Sequence, residues 1–368
     1  MSEITAFIRE VKYISKFREE LETLDFKKFN INEAPGVFLL KDSKTIFSIS
    51  KWVSPKRTRS YPYERVYNSL NGGKVITIIP IVKDEGFDGD RDFLQFDTVS
   101  LMSLLDVYII YAYYVDAEKN NRYEGKYLNK ITNQKFDNSF IKKKIKEIKN
   151  YRSSSLHWNL NELSNPITIN NAIKSYLNIS KNLQVKLHDV KGIEKFKNKL
   201  IGEVNIFKEF SRNKSKGAQN REFLTTQPKE ILSTKTKSKI TIKNYLGGLY
   251  HFTVDEIEIS SNNLILIESK CSKSLKIPSR GDIRDGLLKM ILYSNLEKVE
   301  LNNKKYKAIP LLDLISLRLK GNISNYSDKA DIDKFIRTNE LMSYDIELIK
   351  TIFLEAQKNK FIIRVRKG

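Results

Sequence analysis

The stretch LILIESKCSK (residues 264–273) runs four apolar residues straight into Glu268, Ser269 and Lys270. A short aliphatic run bounded by the turn-forming Ser261, Asn262 and Asn263 reads as a β-strand. Strand side chains alternate between faces, so Leu264, Leu266, Glu268 and Lys270 share one face while Ile265, Ile267 and Ser269 share the other. The stretch before the turn, NYLGGLYHFTVDEIEIS (244–260), reads as a second strand. Joined by the SNN turn, the two predict an antiparallel hairpin in which Asp255 faces Glu268. Opposed carboxylates at the end of an apolar strand repel one another unless a cation sits between them. Mg²⁺ suits that position, because it takes hard oxygen ligands and few protein carboxylates, and keeps places for water and phosphate oxygens. Lys270, on the same face, is then placed to hold an attacking water and to balance charge in a phosphorane-like transition state. Glu256 falls on the opposite face, and Asp255 is preferred because it stands before the apolar alternation of Ile257 and Ile259.

Downstream, GDIRDGLLKMILYSNL (281–296) predicts a helix that Asp282 can cap and that Ile283, Leu287, Leu288 and Ile291 line on the inside. KKYKAIPLLDLIS (304–316) predicts a strand and a helix start, and the terminal FIIRVRK a last strand. The segment 211–240 is rich in Lys, Ser and Thr and predicts a helix starting near Gly217. Strands interleaved with helices imply a C-terminal mixed β-sheet flanked by helices.

The N-terminal part has its own pattern. Residues 1–25 predict an amphipathic helix through Ile4, Phe7, Ile8, Val11, Ile14 and Leu21. Two short strands with a KDSK turn follow in 36–53. A buried strand is expected in 71–82, and a helix running into a Tyr- and Ile-rich strand in 98–115. This predicts a small, separate α/β domain. Residues 136–150 predict a basic amphipathic helix with Phe140, Ile141, Ile145 and Ile148 on one side, and more helix follows to about 210. The expected organisation is an N-terminal domain over 1–135, a helical connector over 136–210 and a C-terminal domain over 211–368, of α/β (α+β) class.

The formal net charge of +21 over 368 residues points to a polyanionic partner, with nucleic acid foremost. Hydrophobic residues make up 40% of the chain, enough for packed cores. No run approaches the roughly 18 apolar residues of a membrane span, and the N-terminus has no apolar signal core. The single cysteine, Cys271, excludes a disulfide framework and fits a reducing cytoplasm. His157, His188 and His251 have no metal-ligand spacing. In KWVSPKRTRSYPYERVY (51–67), Lys56, Arg57 and Arg59 interleave with Trp52, Tyr61, Tyr63 and Tyr67. That is a pattern suited to phosphate contact and base stacking, or to a solvated loop whose aromatics plug a core. Asp88, Asp90 and Asp92 have calcium-loop spacing, but Phe93 stands where that loop needs glycine. Asn71-Gly72-Gly73-Lys74 lacks the spacing of a phosphate loop, so ATP-driven translocation is not expected.

Val254-Asp255, twelve intervening residues and Glu268-Ser269-Lys270 after LILI resemble the PD-(D/E)XK nuclease superfamily, which includes many type II restriction endonucleases and Holliday-junction resolvases. The resemblance covers roughly residues 200–320, and Val254 departs from the proline of the motif. It implies a restriction-endonuclease-like core, Asp255 and Glu268 as Mg²⁺ ligands and Lys270 as the water-orienting base. It also implies a further Glu from the helix in KGAQNREFL (216–224): Glu222, with Glu203 and Glu209 as competitors. Arg280 and Arg284, near the next helix start, join Lys56, Arg57, Arg59 and Tyr61 as expected DNA contacts. The expected function is a Mg²⁺-dependent endodeoxyribonuclease, foremost a type II restriction enzyme of a bacterial or archaeal cytoplasm. Such an enzyme acts on double-stranded DNA as a homodimer, beside a separate cognate methyltransferase. A structure-specific, RNA-directed, defence or repair nuclease with the same site is the second expectation, and a non-catalytic nucleic-acid-binding protein the third.

Overall fold

The computed structural model describes residues 3–56, 62–70, 72–120, 128–201, 204–224 and 237–368. In chain order the elements begin with β1 (Glu3–Ile8), β2 (Thr23–Asp25), β3 (Val37–Asp42), β4 (Thr45–Lys51), α1 (Pro62–Ser69), β5 (Lys74–Pro80), β6 (Val82–Asp84), β7 (Arg91–Phe93), α2 (Phe96–Leu104), β8 (Tyr108–Ala112), β9 (Tyr114–Lys119) and β10 (Ile131–Phe136). Five helices follow: α3 (Asn138–Asn150), α4 (Ser155–Ser164), α5 (Pro166–Leu183), α6 (Val190–Ile201) and α7 (Val204–Leu224). The rest of the chain forms β11 (Ser238–Asn244), β12 (Leu249–Val254), β13 (Glu256–Ser260), β14 (Asn263–Ser272), α8 (Arg280–Tyr293), β15 (Glu297–Leu301), β16 (Lys304–Ser316), β17 (Asn322–Ser324), α9 (Lys329–Thr338), α10 (Ser343–Asn359) and β18 (Ile362–Lys367). The class is α+β, with mixed sheets.

The chain divides into two compact units, one of residues 1–19 with 213–368 and the other of residues 20–212. This differs from the expected domains at both ends. The first 19 residues join the C-terminal unit, and helices expected as a connector belong to the unit that precedes them.

The unit of residues 1–19 and 213–368 is built on a nine-stranded sheet of order β12-β11-β1-β15-β16-β14-β13, with β18 beside β16 and β17 beside β18. β14 runs parallel to β16 over residues 263–272, and β16 parallel to β18, while β13 and β14 form the antiparallel hairpin. β16 is one continuous strand, not a strand and a helix start. Its first residues pair with β15 and its last six with β18, so the sheet forks along it. Parallel neighbours need a crossover, and α8 supplies it between β14 and β16.

The N-terminal helix expected over 1–25 is not formed. Ile4, Ala6 and Ile8 alternate inward on β1, which pairs with β11 on one side and β15 on the other. Sheet pairing overrides the helical spacing of Ile4, Phe7 and Ile8. The chain after β1 has no regular structure and is fastened by Glu355, a fully buried carboxylate on α10. Its Oε1 accepts from the Tyr13 hydroxyl at 2.6 Å, and its Oε2 from the backbone N–H groups of Lys16 and Phe17, both at 2.6 Å. These bonds replace the backbone partners that a helix would have supplied.

The unit of residues 20–212 carries a five-stranded sheet of order β2-β3-β4-β5-β8. β4, β5 and β8 are parallel, and β3 is antiparallel to β4. The expected KDSK hairpin, the strand in 71–82 and the helix–strand pair in 98–115 are all present. β8 is an edge strand, and α4 closes it. Asn159 accepts from the Ile109 N–H at 2.7 Å and donates to the Val107 carbonyl at 2.9 Å, and the Trp158 indole donates to the Ile109 carbonyl at 2.8 Å. Side chains thus satisfy an edge that would otherwise recruit another strand. α7 spans Gly217, where a helix start was expected, because one glycine costs a helix interior only about 1 kcal/mol.

Glu355→Ala leaves two backbone N–H groups without their acceptor. It is expected to destabilise the chain by about 3 kcal/mol, read as a fall in the urea unfolding midpoint. Glu347→Ala, on the exposed side of the same helix, is expected to stay within about 0.5 kcal/mol of the parent.

Candidate active site

The stretch read as one strand over 244–260 is two. β12 pairs with β11, β13 pairs with β14, and Asp255 is the residue between them. The strand changes partner at that point, which leaves Asp255 at the mouth of the hairpin. The register Glu256↔Ile267, Ile257↔Leu266 and onward places Asp255 opposite Glu268, as the turn and strand lengths implied. The backbone N–H of Ser269 donates to Asp255 Oδ2 at 2.9 Å and ties the two strand ends together.

Leu264 and Leu266 are fully buried, and Glu268, on their face, is 2% exposed. The carboxylate is gripped from two sides. Lys270 Nζ lies 3.0 Å from its Oε1, and Lys289 Nζ 2.8 Å from its Oε2. Lys270 also reaches Asp285 Oδ2 at 2.6 Å. Asp285 and Lys289 both come from α8, one helical turn apart and on the same side. Five side chains therefore gather here: Asp255, Glu268, Lys270, Asp285 and Lys289. The last two were not singled out in the sequence, where α8 was read for its apolar face alone. The signal was present, since DGLLK places an acid and a base four residues apart.

Local sequence sets α8 at the right height. Ser279 caps it, not Asp282. The Ser279 hydroxyl accepts from the Asp282 N–H at 3.2 Å and donates to the Asp282 carboxylate at 2.7 Å, so Asp282 is the third helical residue of a reciprocal cap. Ile283, Leu287, Leu288 and Ile291 are buried as expected. Gly286 faces the sheet, where a β-carbon would come 2.6 Å from Leu312 Cδ1 and 3.3 Å from Lys270 Cε. Its missing side chain lets the helix approach closely enough for Asp285 and Lys289 to reach β14.

The charges are strongly coupled. Burial raises Asp255, and the Glu268 carboxylate raises it further. Against the opposing pull of Lys289, the Ser269 N–H and Lys270, its pKa is pushed up to about 7. Burial alone would lower Lys270, but Asp285 and Glu268 outweigh it and hold the ammonium above its ordinary range. Burial would raise Asp285, yet Lys270 and Lys289 pull it below the usual carboxylate range. Lys270 is thus a firmly held cation. In this metal-free arrangement it is placed to orient a water and to stabilise negative charge.

The other expected site residues are scattered. Arg284 is 2% exposed, with Nη1 2.9 Å from Glu19 Oε2, so it is turned inward and is no surface contact. Arg280 is half-buried at the start of α8, its guanidinium 4.4 Å from the Phe17 ring centroid and 5.6 Å from that of Tyr344. Lys56 pairs with Asp92 at 3.5 Å in the other unit. Arg57, Arg59 and Tyr61 lie outside the described residues, as do Glu203 and the side chain of Glu222. Glu209 is exposed and belongs to the other unit. Trp52, Tyr63 and Tyr67 are buried, so those aromatics fill a core and do not stack on bases. Asp92 lies in β7, paired with β6.

Among the described residues no helix is long and apolar enough to cross a membrane. Comparison with protein-family models, with curated proteins and with solved structures gave no match.

Asp255 supplies a pH test of the metal-free site. Its folded pKa of about 7 exceeds the ordinary 3.8, so the folded chain keeps a proton that the unfolded chain releases. The stability this group contributes is present below about pH 4 and is lost as pH rises through 7, by up to about 4 kcal/mol. In EDTA, Asp255→Asn is expected to raise the urea midpoint at pH 8 and change it little at pH 4. An equal shift at both pH values would show that Asp255 does not titrate in this range.

Proposed function

We propose that this chain is a Mg²⁺-dependent endonuclease that hydrolyses phosphodiester bonds of double-stranded DNA, with a restriction-endonuclease-like catalytic unit. The observation that carries the reading is the convergence of Asp255, Glu268 and Lys270 on one side of the hairpin end. The donor set suits the metal. Asp255 and Glu268 offer hard carboxylate oxygens, and burial together with the neighbouring Glu268 charge raises the pKa of Asp255, a cost that a divalent cation would offset. Asp255 and Glu268 would hold the ion, with Lys289 giving up part of its hold on Glu268. When bound, it supplies electrophilic polarisation of phosphate oxygens and acidifies water.

The chain's own groups do the rest. Asp285 fixes the Lys270 ammonium at 2.6 Å, so Lys270 meets the substrate in one position. There it orients the attacking water and offsets charge as it builds on the phosphate. Lys289 adds a second ammonium beside the same carboxylate. Because Lys270 stays protonated, the water's proton leaves to solvent or to a phosphate oxygen. The net charge of +21 favours DNA as the polyanion. The type II restriction class, a dimer acting beside a cognate methyltransferase, is the form we favour within this reading.

One observation favours a second reading. Glu268 is already neutralised by two ammonium groups, so this carboxylate needs no metal to be held in the fold. A non-catalytic nucleic-acid-binding protein would look the same.

Plasmid DNA incubated with the protein and Mg²⁺ separates the two. Cleavage is expected, and Asp255→Ala and Lys270→Ala are each expected to lower it about 10²–10³-fold while gel-shift affinity in EDTA is kept. Cleavage at the parent rate in both variants would overturn the assignment. Discrete fragments mark a restriction enzyme, and a smear marks a structure-directed or defence nuclease.

A further inference from the structure

The unit of residues 20–212 holds a cavity of about 790 Å³, within the range of small-ligand sites. It opens at the carboxyl ends of the parallel strands. Lys51 is the last residue of β4, Lys83 lies three residues past the end of β5, and Tyr114 two past the end of β8. In sheets with parallel strands that crevice is where ligands settle, because the loops that leave the strands diverge there.

Four lysines, Lys51, Lys83, Lys130 and Lys135, line it beside Glu33, Glu85 and Glu118. Its three carboxylates are already engaged. Glu33 accepts from the Asn30 amide at 2.7 Å, Glu118 from the Asn133 amide at 2.7 Å, and Glu85 pairs with Lys83 at 3.1 Å. Lys51 differs from the other lysines. Two of its three N–H groups go to the carbonyls of Ile31 and Ala34, at 2.9 and 2.5 Å. Among the described residues no carboxylate lies within ion-pair distance of it. Burial, reinforced by the nearby Arg65 guanidinium, lowers its pKa to about 8. A half-buried ammonium with no counter-anion is costly unless something outside the fold supplies one.

The walls are rigid before any ligand arrives. Asp84, 1% exposed, accepts from the Gly86 N–H at 2.9 Å and holds His188 Nδ1 at 2.8 Å. Its carbonyl accepts from the Gln134 amide at 2.7 Å, and its N–H donates to the Tyr176 hydroxyl at 2.9 Å. Gly86 takes φ +92, and a β-carbon there would strike the Asn129 carbonyl oxygen at 1.8 Å, so only glycine permits this join. Tyr114 and Phe136 stack with centroids 4.3 Å apart at one side of the cavity. The amides of Asn32 and Gln134 are spent on backbone and Tyr176 contacts. Lys83 and Lys135 hold ion pairs of their own, with Glu85 at 3.1 Å and with Asp116 at 3.3 Å, which an incoming phosphate would share or displace; the Lys135–Asp116 pair is exposed on both sides and therefore weak.

We propose that this cavity binds a phosphate-bearing ligand, a nucleotide phosphate either free or within a nucleic-acid strand, through Lys51, Lys83, Lys130 and Lys135. The site belongs to the unit that lacks Asp255, Glu268 and Lys270, and it stands whether or not those residues cleave DNA.

Calorimetric titration of the full chain in EDTA tests it with three probes: pyrophosphate, dAMP and a short single-stranded oligodeoxynucleotide. Saturable binding of at least one is expected. Lys130→Glu with Lys135→Glu is expected to weaken it at least about tenfold, since two ammonium contacts to phosphate are lost and reversed. Lys329→Glu with Lys334→Glu makes the same change in net charge on α9 in the other unit, and is expected to leave affinity within about twofold, as an exposed pair that does not line the cavity should. Lys51→Met is expected to abolish binding. Should that variant unfold by circular dichroism, the Lys130 and Lys135 pair decides. Binding of pyrophosphate or dAMP identifies a free ligand, and binding of the oligonucleotide alone identifies a strand. No saturable heat with any probe, or equal loss in the two double variants, would overturn the proposal.

Discussion

A carboxylate as buried as Glu268 must be neutralised, and the architecture around β14 follows from how that is done. Isolated in an apolar interior, it would take up a proton or destabilise the fold. Here Lys270, from its own strand, and Lys289, from α8, bind one oxygen each. The second contact means the helix cannot shift along the strand without breaking an ion pair. Asp285 completes the circuit by holding Lys270 from the same helix. Sheet and crossover helix are thus locked together by charge as well as by Leu287 and Leu288 packing. Asp255 is the one member left out of that pairing. It has a backbone N–H and a share of the field of two lysines, but no ion pair among the described residues, and burial, with Glu268 beside it, raises its pKa.

That imbalance connects fold to chemistry. A closed structural salt bridge would have matched acids to bases. The cluster has three acids and two bases, with the unmatched acid at the mouth of the hairpin, where a strand changes partners. Structural clusters also perturb pKa values, so a shift alone does not define a function. What separates this case is position. The odd carboxylate sits opposite Glu268, at the hairpin mouth where β12 gives way to β13, held by the Ser269 N–H.

Much of the C-terminal unit was legible because its signals are local. The SNN turn fixes the hairpin register, and the register alone brings Asp255 to Glu268. The apolar face of α8 is visible at helical spacing. What was not legible depends on distant partners. EITAFI carries both Ile4, Phe7, Ile8 at helical spacing and Ile4, Ala6, Ile8 in alternation, and nothing within the segment chooses between them. The choice is made by β11 and β15, which lie more than two hundred residues away in sequence. The same holds for Glu355, whose partners Tyr13, Lys16 and Phe17 lie at the other end of the chain. Arg284 shows the reverse error. A basic residue near a helix start suggests a surface contact, yet here Glu19 draws it inward.

The basic, aromatic stretch 51–67 teaches a related lesson in the other unit. Its aromatics and its cations do separate jobs. Trp52, Tyr63 and Tyr67 fill the core under α1, while Lys51 closes one side of a cavity and Lys56 pairs with Asp92. Composition alone cannot divide a mixed stretch in this way, because ring and ammonium alternate too closely for any window to resolve them. The division follows from the strand. β4 ends at Lys51, and the chain turns there so that Trp52 goes inward while its neighbours line the opening. A parallel strand's carboxyl end collects polar groups for that geometric reason, and here Lys51 and Lys83 are among them.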